Sequence, residues 1–178
     1  EFFSSTEKRY VSLRTRMPGV PRGVHLFAIY RWRKSGIKSD EMLLPVAEDS
    51  ELESNLLGLV RASVDGEPGA IPEQDAFDEL DRKHYRKWTS ERADHSDENR
   101  RLIGYRLQSL QVSHNARRLA IEDQIARSTN DRIRRMKESE MARAEADYER
   151  RVGELERAAE SADIQAAPAF FGVVEIVE

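Results

Sequence analysis

Residues 170–177 read FFGVVEIV, and what this run pairs with decides the fold. Aromatic and β-branched residues dominate it, which is strand composition. A strand leaves its backbone N–H and C=O groups orphaned unless another strand takes them. The nearest partners lie far upstream, at residues 24–47. The chain between must therefore return to where it started, or a second copy must supply the partner.

Residues 24–32 are the strongest of those partners. Val24, Leu26, Ala28, Tyr30 and Trp32 alternate one way, Phe27 and Ile29 the other, so both faces are expected to be partly covered. A polar connection at 34–40 leads to a returning strand at 41–47, where Met42, Leu44 and Val46 alternate. Pro45 cannot donate to a ladder, which places this strand at an edge. Residues 50–64 read as a short helix with the stripe Leu52, Leu56, Leu59 and Val60. Ser50 with Glu53 predicts a capping box at its start. The breaker-rich stretch 65–72 (DGEPGAIP) predicts a loop. Pro72 suits the first turn of a next helix, where Phe77, Leu80, His84 and Trp88 share a face.

Ser96 is the expected cap of a long helical segment, with Asp97 and Glu98 in its first turn. Between 97 and 163 there is no proline. Ile103, Leu107, Leu110, His114 and Ile121 form one stripe. Met141, Ala144, Tyr148, Val152, Leu155 and Ala159 form a second. Between them, RSTND at 127–131 is poor in helix formers. One form is an antiparallel hairpin bending near 128–131. The other is a single rod of about 100 Å, at 1.5 Å per residue, dimerising with swapped strands. Because 170–177 must return, the hairpin is the expected form. The expected class is α+β: a small antiparallel sheet (hairpin plus C-terminal strand) with a long, charged, coiled-coil-like helical hairpin arm. The expected organisation is a small α/β subdomain at 1–72, a helical arm at 73–166, and a strand returning to the sheet at 167–178.

Composition agrees with elongated helices. Hydrophobic residues make up 39% of the 178 and charged residues 35%, so large faces stay in water. There are no cysteines, which excludes disulfides and thiolate metal sites and fits a reducing, cytoplasmic location. No run of about 18 apolar residues exists, so no membrane partner is expected. The chain starts at Glu1 rather than Met, and is expected to be part of a larger protein. Its net charge of −4 conceals blocks: +7 over 1–38, −11 over 39–98, +7 over 99–137 and −7 over 138–178. Such blocks neutralise one another within the fold or face different partners.

Motifs for chemistry are missing. There is no G-x-x-x-x-G-K-[ST] phosphate loop, no G-x-G-x-x-G and no G-x-S-x-G. None of the four histidines has a second His or a Cys at metal-ligand spacing. His84 and His114 sit in apolar stripes and are expected to be core or interface residues. Asp75, Asp78, Glu79 and Asp81 lack calcium-loop spacing and read as a solvated face. Tyr30, Trp32 and Trp88 read as core anchors rather than base-stacking platforms. The candidate binding residues are cationic: Arg117, Arg118, Arg127, Arg132, Arg134, Arg135 and Lys137. Guanidinium matches phosphate bidentately, so the cluster suits a nucleic-acid backbone held without sequence readout. Internal ion pairing with the acidic block 138–160 is the plainer use of the same charges.

Several short motifs recur in order: HYRKW at 84–88, NRRLI at 99–103, LQSL at 107–110, QIAR at 124–127, RIRRM at 132–136, ADYERR at 146–151, ELE at 154–156, ADI at 162–164 and FGVVEI at 171–176. Over 75–178 this resembles the C-terminal region that follows the motor in bacterial Swi/Snf-like (superfamily-two) helicase-related ATPases. YRWR at 30–33, in the stretch 24–47, resembles the region preceding that tail. The resemblance implies a parent that couples ATP hydrolysis to movement on duplex DNA or to remodelling of protein–nucleic-acid complexes. ATP and Mg²⁺ would belong to that parent's motor. The segment in hand holds none of the ATPase motifs, so no catalytic residue or cofactor carries over. It would be a non-catalytic accessory domain, with the upstream motor domain of the same polypeptide as partner, and DNA or RNA as a further one. The alternative is a coiled-coil oligomerisation or protein-interaction module, a homodimer using the 103–162 stripe as its helix–helix interface.

Overall fold

Alternation along β2 (Gly23–Ser35) sends successive side chains to opposite faces, and each face meets its own apolar layer. The computed structural model describes residues 10–62, 64–65, 72 and 75–177. The elements are β1 (Tyr10–Arg16), β2, β3 (Asp40–Ala47), α1 (Ser50–Ala62), β4 (Val64–Asp65), α2 (Asp75–Arg127), α3 (Asp131–Glu160) and β5 (Asp163–Val177). The loop expected at 65–72 lies, apart from Asp65 and Pro72, outside the described residues. Two compact units result. One holds 1–34, 39–93 and 164–178; the other holds 35–38 and 94–163.

The first unit is built on a five-stranded sheet of order β3-β2-β5-β1-β4. Phe27 and Ile29 of β2 join Leu13, Ala47, Val174 and Ile176 beneath Leu52 and Leu56 of α1. Ala28, Tyr30 and Trp32 join Val46 and Ile164 beneath Phe77 and Leu80 of α2. Both faces are covered, as the alternation predicts. β3 is an edge strand, and Pro45 sits in it opposite Ile29.

The α+β class holds, but the sheet is mixed rather than wholly antiparallel. β5 pairs in parallel with β1, from Tyr10 opposite Phe171 to Arg16 opposite Val177. The C-terminal strand is thus third of five. It also starts at Asp163, well before residue 170. β1 pairs with β5 only from Phe171 onward, so Pro168 lies where no described β1 residue needs its missing N–H. β1 and β4 have no counterpart in the sequence reading. The charged and hydroxyl residues of YVSLRTR hide its alternation, although Leu13 is buried.

Helix starts differ from expectation too. The cap of α1 is Asp49, whose carboxylate accepts from the N–H groups of Glu51 (2.8 Å) and Leu52 (2.9 Å). Glu53 reaches the Ala47 N–H instead, at 3.2 Å. Ser96 caps nothing: α2 runs 53 residues through it. No proline or glycine interrupts 75–103. Asp97 and Glu98 pair with Arg100 (3.3 Å) and Arg101 (2.6 Å) one turn on.

In the second unit the later part of α2 and α3 form an antiparallel hairpin. Arg117 meets Glu140 at 4.0 Å, His114 Nε2 meets Glu145 at 3.1 Å, and Asn99 donates to the Ala158 carbonyl at 3.0 Å. The His114 ring also stacks on Tyr148, centroids 4.2 Å apart. Ile103, Ile121 and Ala144 are buried along this seam. Asn130 caps α3, accepting from the Arg132 N–H at 2.9 Å and the Ile133 N–H at 3.4 Å. The 103–162 stripe therefore closes within one chain.

Asn99, 2% exposed, is the polar pin of this unit. Its Oδ1 accepts from the Ile37 N–H at 2.8 Å, while its Nδ2 bonds Ala158. The turn beneath it needs Gly36: φ is +143°, and a Cβ there would meet Asn99 Oδ1 at 2.6 Å. Asn99→Ala leaves the Ile37 N–H without its acceptor and takes the nearer donor from the Ala158 carbonyl, and is expected to destabilise this unit by about 2 kcal/mol. Denaturant titration followed by circular dichroism measures it. A loss below about 0.5 kcal/mol, the scale of an ordinary surface substitution, would show that Asn99 pins nothing.

Candidate nucleic-acid interface at the hairpin bend

The residues that stop α2 and start α3 also gather the cations. Ser128, Thr129 and Asn130 break the helix, so arginines distant in sequence along α2 and α3 come to one end of the hairpin. Six of the seven candidates are exposed; Lys137 is half-buried.

Their charges are unequally committed. Lys137 bonds Glu140 at 2.8 Å, and Arg117 approaches the same carboxylate at 4.0 Å. The Lys137 hydrogen bond, ahead of its charge and that of Arg117, holds the Glu140 carboxyl below its usual range. Arg118 pairs with Glu122 at 3.7 Å and Arg127 with Asp123 at 2.9 Å, each one turn away on α2. Exposed pairs of this kind contribute about 0–1 kcal/mol and exchange readily for another anion.

The remaining three differ. Arg134 donates to the Ser128 carbonyl at 3.3 Å and Arg135 to the Asp131 carbonyl at 3.4 Å. Those bonds orient the guanidinium without neutralising it. Among the described residues no carboxylate pairs with Arg132, Arg134 or Arg135. All three lie in the first two turns of α3, where the helix dipole adds positive potential.

The seven do not share one face. At 100° per residue, Arg132 and Arg135 fall on one side of α3, Arg134 and Lys137 on another. The result is a collar of charge around the bend, partly neutralised by α3 itself through Glu140. A collar can hold a phosphate backbone but offers no row of side chains for reading bases.

The sheet unit contains a polar cluster that sequence reading did not assemble. The Tyr30 hydroxyl donates to Asp81, and Trp32 Nε1 donates to His84 Nε2 at 2.9 Å. The Tyr30 and His84 rings stack with centroids 3.5 Å apart, 7° from parallel. Burial, then the hydrogen bond and charge of Asp81, drives the Tyr30 phenol far above its usual range. Burial, then the Lys87 charge, lowers His84 to about 4. His84 is a neutral core acceptor, as its apolar stripe predicts. Asp81 belongs to this cluster rather than to a purely solvated face. Nearby, burial pushes the Glu53 carboxyl up, but bonds from Lys87, Lys83 and the Ala47 N–H outweigh it and hold the group low. These contacts brace α1 against α2 past the end of β3. The one sequence signal for the cluster was the shared spacing of Tyr30 and Trp32 on β2 and of Leu80 and His84 on α2.

Among the described residues no helix is long and apolar enough to cross a membrane. No protein-family model matches the chain, and a search of curated proteins finds no match.

Proposed function

We propose that this chain is a non-catalytic accessory domain of a helicase-like ATPase, and that its hairpin bend grips the phosphate backbone of nucleic acid. The observation that carries the reading is the set of three exposed guanidiniums, Arg132, Arg134 and Arg135, with no carboxylate partner among the described residues. Arg118 and Arg127 join them by releasing weak one-turn pairs. Arg117 and Lys137, bound to Glu140, contribute least. The resemblance of 75–178 to the tail of helicase-related ATPases supplies the parent. ATP and Mg²⁺ act in the motor of that polypeptide, and this domain adds a sequence-independent hold on its track.

Duplex binding measured by fluorescence anisotropy across a salt series tests this. The three unpaired arginines alone give a slope of log K on log salt near −2.7, about a 40-fold loss from 50 to 200 mM, and Arg118 and Arg127 steepen it toward about −4.5. Arg132→Ala should reduce the slope by about one unit, and the triple alanine variant should abolish most binding. Absence of binding at about 50 mM salt would remove the nucleic-acid role.

A further inference from the structure

The outer face of α2 carries a second helical seam, which the hairpin leaves uncovered. At 100° per residue, Ile103, His114 and Ile121 point together toward α3, and Val112 lies about 180° away from them. Tyr105, Val112 and Leu119 lie on that outer face, spaced by sevens and 62%, 64% and 60% exposed. Large apolar side chains in a heptad row are the ordinary signature of a helix partner.

The row also has a symmetry. Arg101, Tyr105, Gln108, Val112, Ala116, Leu119 and Asp123 succeed one another at intervals of 4, 3, 4, 4, 3 and 4, identical when read in either direction from Val112. One end is cationic and the other anionic. A two-fold axis through Val112 therefore sets Arg101 against Asp123 of the other copy, twice. It sets Tyr105 against Leu119, twice, and Val112 against itself. At the flanks it also brings Asp97 to Arg127. Among the described residues of one chain, Arg101 and Asp123 pair only with exposed neighbours on their own helix, Glu98 at 2.6 Å and Arg127 at 2.9 Å. A parallel arrangement would stack Arg101 on Arg101 and Asp123 on Asp123, which the charges oppose.

We infer that this face binds a second copy of the chain, α2 against α2, antiparallel about Val112. The contact runs from Arg101 to Asp123, about 33 Å. A single helix-on-helix contact of that length sits at the small end of specific interfaces, so the dimer forms and dissociates with concentration. The two hairpin bends, 16 residues either side of the axis, would then lie about 48 Å apart at opposite ends. This interface is distinct from the 103–162 stripe, and it stands whether or not the bends hold nucleic acid.

The chain has no cysteine, so crosslinking starts from a clean background. In the full chain, Val112→Cys should crosslink to itself with a short bis-maleimide. Tyr105→Cys alone should not, because its symmetry mate lies about 21 Å along the axis. A mixture of Tyr105→Cys and Leu119→Cys should crosslink. Sedimentation should show a monomer–dimer equilibrium, abolished by Val112→Asp with helicity unchanged by circular dichroism. Arg101→Asp should weaken the dimer about tenfold, and adding Asp123→Arg should restore it. A wild-type chain that stays monomeric up to about 1 mM would overturn the inference. So would Tyr105→Cys crosslinking to itself as well as Val112→Cys does, because that means a parallel or unspecific contact.

Discussion

Gly172→Ala is expected to destabilise the sheet unit by about 3 kcal/mol or more, near the top of the range for single substitutions. Gly172 lies in the central strand β5, opposite Val11 of β1. A Cβ there would fall deep inside van der Waals contact of the Val11 carbonyl oxygen, 2.8 Å from its carbon and 3.1 Å from its nitrogen. Those are backbone atoms in a seven-residue parallel ladder, so no rotamer relieves the clash. Either β1 moves off β5 along its length, or the alanine strains its own backbone. The sign is diagnostic, because glycine-to-alanine changes at unstrained sites stabilise by about 0.4–1 kcal/mol. Gly58, in α1, is the internal control: nothing lies within 4 Å of its Cβ position. Gly58→Ala should gain about 0.5–1 kcal/mol. Urea unfolding followed through the two tryptophans reads the sheet unit directly, since Trp32 and Trp88 both belong to it. A Gly172→Ala protein as stable as wild type would show that the strands do not approach so closely.

Acidification should weaken the same unit in a window set by His84. Its imidazole is lowered from 6.5 to about 4 in the fold, mainly by burial. The unfolded chain therefore binds a proton between those values that the folded chain refuses. Stability from this group is complete above about pH 6.5 and is lost as pH falls toward 4, in total about 3 kcal/mol. Glu53 is also held low, so its contribution disappears only through the lower carboxylate range. The two windows separate on the pH axis. His84→Gln retains an acceptor for the Trp32 indole while removing the titration. That variant should start less stable, yet show a flat profile between pH 6.5 and 4.5. An unchanged slope in His84→Gln would place the titrating group elsewhere.

At the candidate interface the sequence located the cations but not their usefulness. Arg132, Arg134 and Arg135 were visible as a basic run. That Lys137 and Arg117 share Glu140 depends on α3 folding back beside α2. The loss of a single basic face comes from spacing alone, since 132, 134, 135 and 137 cannot share a side of one helix. In the core, Trp32 and His84 each declared their own face. Their hydrogen bond joins residues 52 apart, and no local pattern encodes that pairing.

By itself the sequence determined the features that depend on neighbours along the chain: the alternation of β2, the edge position of β3 with Pro45, the helical stripes, and the break before Asn130. These are local because side-chain direction repeats every two residues on a strand and about every 3.6 on a helix. Tertiary structure alone decided which segments meet. It brought β1 in beside β5 as a parallel partner, placed β5 third of five and laid α3 back along α2 so that Asn99 meets Ala158. Those outcomes rest on complementarity between surfaces far apart in sequence. Gly172 against the Val11 backbone is the clearest case: that approach is set by a missing side chain, which leaves no hydrophobic signal to read.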